Sequence, residues 1–291
     1  MIFSKTASEI KRGIWFMHPH IALSYADVVD NVLSKTKNDF DPRPEAITVK
    51  QAIAPNGAYI NKDEEIPEGS IGVVAIHGPM IKYGDWCSYG ADELVAFAKA
   101  FEADDNIIGQ IWLMDSGGGS VAAVAPYLDF LETAKKPVVA LCDLCASANY
   151  YVASATDYIM AENNISAMFG SIGVMIQFAD YKKFYKDKGI ALHEIYADQS
   201  KDKNKDFREA LENNYEPIKN EMLNPLAVQF QEHVKAERPN LKNPKKVLSG
   251  GMYYAEKALE EGLIDGIGNM TKAIEKVKFL ASARSLISNN Y

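Results

Sequence analysis

The chain has 291 residues, 47% of them hydrophobic, enough to bury a sizeable core as one large domain or two small ones. Its formal net charge of -8 excludes nucleic-acid binding as the main business, because neutralising phosphates needs clustered Lys and Arg. Cys87, Cys142 and Cys145 make neither an even disulfide framework nor a four-ligand metal set, and no apolar run approaches the roughly 20 residues of a membrane span. With no signal-peptide pattern at the N-terminus, these readings place the chain in the cytoplasm, without membrane insertion and with no metal or cofactor expected.

Residues 1–65 combine an amphipathic stretch (Ile10 to Val32), a polar connector (Ser34 to Arg43) and Pro-bearing loops, and read as an N-terminal accessory arm. Residues 66–291 read as one domain. From Ile71 the texture becomes short β-rich runs alternating with helices. Ile71 to Ile76 is a strand, Ala91 to Ala103 a helix, Ile111 to Met114 a strand, Val121 to Thr133 a helix and Val138 to Leu141 a strand. This alternation is that of a parallel α/β core. It continues with a helix over Ser147 to Ala155, strands at Tyr158 to Met160 and Val174 to Ile176, a helix at Tyr181 to Lys188 and a strand at His193 to Tyr196. A long amphipathic helix follows from Phe207 to Ala236, with interruptions at Pro217 and Pro225, and a helical hairpin closes the chain.

Two motifs carry chemistry. Gly117, Gly118 and Gly119 follow a buried strand, where glycines allow a sharp turn and close approach of backbone N–H groups to a ligand. No Gly-Lys-Ser/Thr follows, and the spacing is not Gly-x-Gly-x-x-Gly, so phosphate-loop and dinucleotide readings fail. A plain strand-to-helix turn remains the alternative. The second motif is Cys145-Ala146-Ser147-Ala148-Asn149-Tyr150-Tyr151, in which Ser147 opens a helix whose first-turn amides are unpaired and favour negative charge. A nucleophilic Ser147 would have its oxyanion stabilised there; a simple N-cap serine is the other reading.

Four segments in order resemble the signal peptide peptidase A-type serine proteases, including phage relatives that mature capsids, and through them the wider Clp/crotonase fold. Asp115-Ser116-Gly117-Gly118-Gly119 stands where that family carries Asn/Asp-Ser-Pro-Gly-Gly, and Ala146-Ser147-Ala148-Asn149-Tyr150-Tyr151 stands where it carries Ala-Ser-Gly-Gly-Tyr-Tyr. Gly170-Ser171-Ile172-Gly173-Val174 matches unchanged, and Ala255 to Asp265 with Gly268 resembles the family's closing element. Gly117 in place of Pro and Ala148-Asn149 in place of Gly-Gly are departures. Asn149 is read either as an amide donor to the site or as a helix-surface residue, with the second preferred.

The resemblance implies an α/β Clp/crotonase-like core of short, mostly parallel strands, and a serine endopeptidase working through an acyl-enzyme. Ser147 would be the nucleophile and Lys201 the general base, with Lys203 and Lys205 as alternatives; Gly118 and Ala148 would supply the oxyanion N–H groups and Ser171 would orient the lysine. A lysine serves as a base near neutral pH only when burial disfavours its charged form by about 4 kcal/mol. The resemblance supplies that burial through a homo-oligomeric ring in which serine and lysine come from different subunits. The substrate would be a protein or peptide, in prophage capsid maturation (with the enzyme then virion-associated) or as a cytoplasmic degradative peptidase. A catalytically silent shell subunit is the alternative. His18, His20, His77, His193 and His233 show no triad-like order, and Cys145 reads as a small buried core residue.

Overall fold

A computed structural model describes residues 14–17 and 50–288, apart from 62, 85–87 and 179. His18, His20, Cys87 and most of the stretch from Ile10 to Val32 lie outside the described residues. Strand β1 (Ile14–Met17) stands apart from the main run, which begins with β2 (Lys50–Ile53), β3 (Ser70–His77), α1 (Ala91–Ala103), β4 (Ile107–Ser116) and β5 (Gly118–Ser120). A 3-10 turn (Val121–Ala123) leads into α2 (Val124–Thr133), then β6 (Val138–Ala146), α3 (Ala148–Ser154), β7 (Tyr158–Ala161), β8 (Met168–Gly170) and β9 (Met175–Ile176). The remainder is α4 (Lys182–Asp187), α5 (Lys205–Leu211), α6 (Asn224–Glu237), α7 (Pro244–Val247), β10 (Met252–Tyr254), α8 (Ala255–Glu261), β11 (Gly266–Ile267) and α9 (Met270–Ser288).

The eight-stranded sheet runs β10-β8-β6-β4-β3-β2, with β7 beside β6 and β11 beside β7. Its centre is parallel, while β2 on β3 and β10 on β8 are antiparallel. Lys50–Ile53, which the sequence reading puts in the N-terminal arm, is therefore the outer strand of this sheet. Period-two alternation sorts side chains onto its two faces. Val74, Ile76, Trp112, Met114, Val138 and Ala140 join the core under α1 and α2. Ile71, Val73, Ile111, Val139 and Leu141 join Ala273 and Val277 of α9 on the opposite face. Both faces are covered by helices, as parallel strands require.

Strand β6 forks. Val139 to Cys142 pairs with β7, whereas Leu144 to Ala146 pairs with β8. The register of β4 on β6 also shifts between Met114 and Ser116. These irregularities open the carboxyl ends of the central strands, where open α/β sheets place their ligands.

Three sequence expectations need correction. His193 to Tyr196 is not a strand but an irregular, largely exposed segment with no neighbouring strand to pair it. The single helix expected from Phe207 to Ala236 is α5, a π turn (Ile218–Leu223) and α6. Pro217 precedes the π turn and Pro225 lies in the first turn of α6, where its missing N–H costs nothing. The closing hairpin holds the two-residue strand β11 between α8 and α9.

Candidate active site

Ser147 lies between the end of β6 and the start of α3, with φ 55° and ψ -119°. A non-glycine residue held there costs on the order of 1–3 kcal/mol, so the surroundings must enforce it. They do so from both sides: Ser147 N–H donates to Gly170 O at 2.8 Å, and Ser147 O accepts from Tyr151 N–H at 2.8 Å. Its Oγ is buried with no hydrogen-bond partner among the described residues. An N-cap serine would spend that oxygen on a first-turn amide; Ser147 makes no such bond. The hydroxyl is therefore buried without a structural hydrogen bond of its own.

The elements around it lock together. Gly170 has φ 129°, and a Cβ there would meet Gly251 O at 2.2 Å, so only glycine fits. The next residue, Ser171, also has positive φ (53°) and donates its N–H to Gly251 O at 2.9 Å. Ser171 is thus buried one residue from the carbonyl that holds Ser147.

On the other side is the glycine turn. Ser116 Oγ donates to Gly78 O and accepts from Gly118 N–H at 3.1 Å, fixing the turn that leads into β5. A Cβ on Gly119 would strike Met80 O at 2.0 Å. The two expected oxyanion donors differ: Gly118 N–H is engaged by Ser116 Oγ, whereas Ala148 N–H, at the first position of α3, has no intrahelical carbonyl to meet.

Asn149 is not on the helix surface. It is fully buried, and its Nδ2 donates to Leu144 O at 3.2 Å and Ser116 O at 3.4 Å, so its carboxamide ties the serine helix to the glycine turn. Its Oδ1 has no partner among the described residues. Sequence reasoning misplaced it because the preceding Ala148 is buried as well and α3 has no exposed face among its residues.

Tyr150 OH donates to Leu263 O at 2.8 Å, and burial pushes that phenol far above its ordinary range. Arg238 clasps Asp265 through two hydrogen bonds of 2.9 and 2.7 Å, and Asp265 Oδ2 also accepts from Ile159 N–H at 2.8 Å. The closing motif thus returns to the core and buttresses α3.

Cys145 is completely buried, and burial followed by its neighbour Cys142 pushes the thiol up, which makes it inert. His77 and His193 are exposed. His233 stacks on Tyr151 at 4.4 Å, and burial lowers its pKa; its Nε2 is buried without a partner among the described residues. Lys201, Lys203 and Lys205 are all exposed, none hydrogen-bonds Ser147 Oγ, and Lys205 is 3.9 Å from Glu209. Within one chain the structure brings Ser147, Ala148, Gly118 and Ser171 together and leaves the lysines in solvent.

Residues 131–284 match the model of Peptidase family S49, a span that includes Ser147, Ser171 and Lys201. The chain belongs to peptidase family S49. Among S49-like relatives, a candidate protease of Methanocaldococcus jannaschii is 32% identical over 185 residues, 62% of this chain and 58% of that one. Protease 4 of Haemophilus influenzae is 26% identical over 230 residues, 74% of this chain and 35% of its own. Capsid assembly protease C of Escherichia phage lambda is 25% identical over 198 residues, 67% and 44%. The chain therefore spans little more than half, or less, of each relative's length. The mostly parallel α/β core implied by the family resemblance is present, and no helix among the described residues is long and apolar enough to cross a membrane.

Proposed function

We propose that this S49 member is a serine endopeptidase with a Ser-Lys dyad. Ser147 Oγ attacks the scissile carbonyl, Lys201 accepts its proton and returns it to the leaving amine, and water hydrolyses the acyl-enzyme. The single observation that carries this reading is Ser147 Oγ itself: strained, buried and unpartnered. Ala148 N–H is the principal oxyanion donor. Gly118 N–H joins it once the substrate oxygen replaces Ser116 Oγ, and Ser171 orients the lysine.

The lysine belongs to a second copy of the chain. From Gly173 to Glu209 no described residue is buried, yet the segment carries exposed Phe178, Tyr181, Phe184, Leu192 and Ile195, the last 93% exposed. Helices as short as α4 and α5 are marginal in water unless packed. Packing of this apolar segment on a neighbouring copy would desolvate Lys201 and complete the site. Lys203 and Lys205 remain rivals within the same loop. The likeness to the phage lambda protease supports a capsid or scaffold protein as substrate.

Fluorophosphonate labelling tests the nucleophile: the oligomer should label on Ser147, and Ser147→Ala should abolish it. Labelling that survives Ser147→Ala would move the nucleophile to another residue, whereas a protein that is monomeric and unlabelled would instead favour a silent shell subunit.

A further inference from the structure

Strand β1 belongs to a separate three-stranded sheet, ordered β5-β1-β9. It pairs antiparallel with β5, placing Trp15 opposite Ser120, Phe16 opposite Gly119 and Met17 opposite Gly118. It also pairs antiparallel with β9, placing Ile14 opposite Ile176 and Trp15 opposite Met175. It further lies against α3, the helix that Ser147 opens. Strand β5, which follows the glycine turn, and strand β9 are thus joined to each other through a segment from far away in the sequence.

Without β1, the facing edges of β5 and β9 would stand about 10 Å apart, twice the usual strand spacing, with their main-chain groups turned toward one another. That is a slot one extended strand wide, and its recognition is main-chain hydrogen bonding, which accepts any peptide able to adopt an extended form. Ile14-Trp15-Phe16-Met17 suits it, being aromatic and β-branched or apolar throughout. The direction of the strand also matters. It runs from the Ser120 end toward Gly118, so Met17 lies opposite the glycine whose N–H is a candidate oxyanion donor.

We propose that Ile14–Met17 is the chain's own occupant of the substrate groove, a pseudosubstrate strand that must leave before a protein substrate can bind. The proposal rests on the reading of Ser147 as nucleophile. Vacating the groove disturbs nothing in the eight-stranded sheet, because β1 pairs only with β5 and β9. In the sequence, residues 18–49 separate it from β2.

The test uses the full-length chain and the rate of fluorophosphonate labelling at Ser147. In Phe16→Pro the strand loses an N–H and a compatible backbone; labelling should rise about tenfold, as expected if the strand occupies the groove some 90% of the time. Adding a synthetic peptide of residues 10–20 to that variant should slow labelling again. A second construction guards against misfolding: Trp15→Cys with Ser120→Cys places two thiols directly opposite in an antiparallel pair, within disulfide reach. The oxidised protein should label at least about tenfold more slowly than the same protein after reduction. Equal rates in oxidised, reduced and unmodified chains would overturn the pseudosubstrate assignment while leaving the nucleophile standing. Absence of labelling in every form, reduced and Phe16→Pro included, would overturn the nucleophile and this inference with it.

Discussion

Ser147 sits in fully buried surroundings, its backbone gripped by Gly170 on one side and Tyr151 on the other, whereas Lys201 lies in a segment where no described residue from Gly173 to Glu209 is buried. One region stores strain and orphans a hydroxyl; the other presents apolar side chains and cations to water. On the proposed mechanism, preorganisation of the nucleophile is an internal property of the fold. The environment the proposed lysine base needs is not, and the same proposal draws it from assembly.

The sharpest way to break this comparison is at the buried side. Ser147→Ala should lower peptide-hydrolysis kcat by at least about 10³-fold with the fold intact, measured by turnover alongside thermal unfolding. On the exposed side, Lys201→Met should lower kcat by about 10² to 10⁴-fold, with Lys203→Met and Lys205→Met unchanged; if one of those two carries the loss, the base moves to it. Dilution below the assembly threshold should then reproduce the Lys201→Met defect in the unmodified protein, since an exposed lysine in a lone chain cannot serve.

Smaller effects sharpen the buried half. Gly119→Ala forces a Cβ into Met80 O and should destabilise by about 1–3 kcal/mol in denaturant unfolding. Asn149→Ala removes the bonds to Ser116 O and Leu144 O and should cost about 1–2 kcal/mol. It should also lower kcat more than it raises KM, because the glycine turn loses its tie to the serine helix.

The smallest effect is a pH dependence. Burial lowers the pKa of His233, against the opposing pull of Glu237 and the Tyr151 backbone. The unfolded chain therefore binds the proton more readily, and the stabilising contribution is fully present above about pH 6.5 and is lost as pH falls below it. The unfolding midpoint should drop more between pH 7 and pH 5 in the parent than in His233→Phe.

Much of the core was legible because burial on both faces of a parallel sheet leaves a plain signature. The β-rich runs at Ile71 and Val138 and the helix at Ala91 appear where expected. Elements decided by partners distant in sequence were not. β8 and β10 are three residues each and exist only because they pair with β6 and with each other. His193 to Tyr196 has strand-like composition and no strand to join. In the candidate site, the strand-to-helix position of Ser147 was legible through its motif, but the burial of Asn149 was not, since a polar residue early in a helix gives no sign that both flanking surfaces will be covered. Lys201, Lys203 and Lys205 share one exposed stretch, and the sequence pattern alone does not separate them.

Gly251, which takes the N–H of Ser171 and leaves room only for a glycine at Gly170, lies more than a hundred residues beyond Ser147 in the sequence. The clasp that maintains the strained serine cannot close until β10 has been synthesised. While the intervening residues are being made, a ribosome-bound chain thus carries Ser147 in an ordinary, unstrained backbone. The strained geometry at Ser147 appears only once that distant strand exists, so the fold ties the backbone of one segment to the synthesis of another.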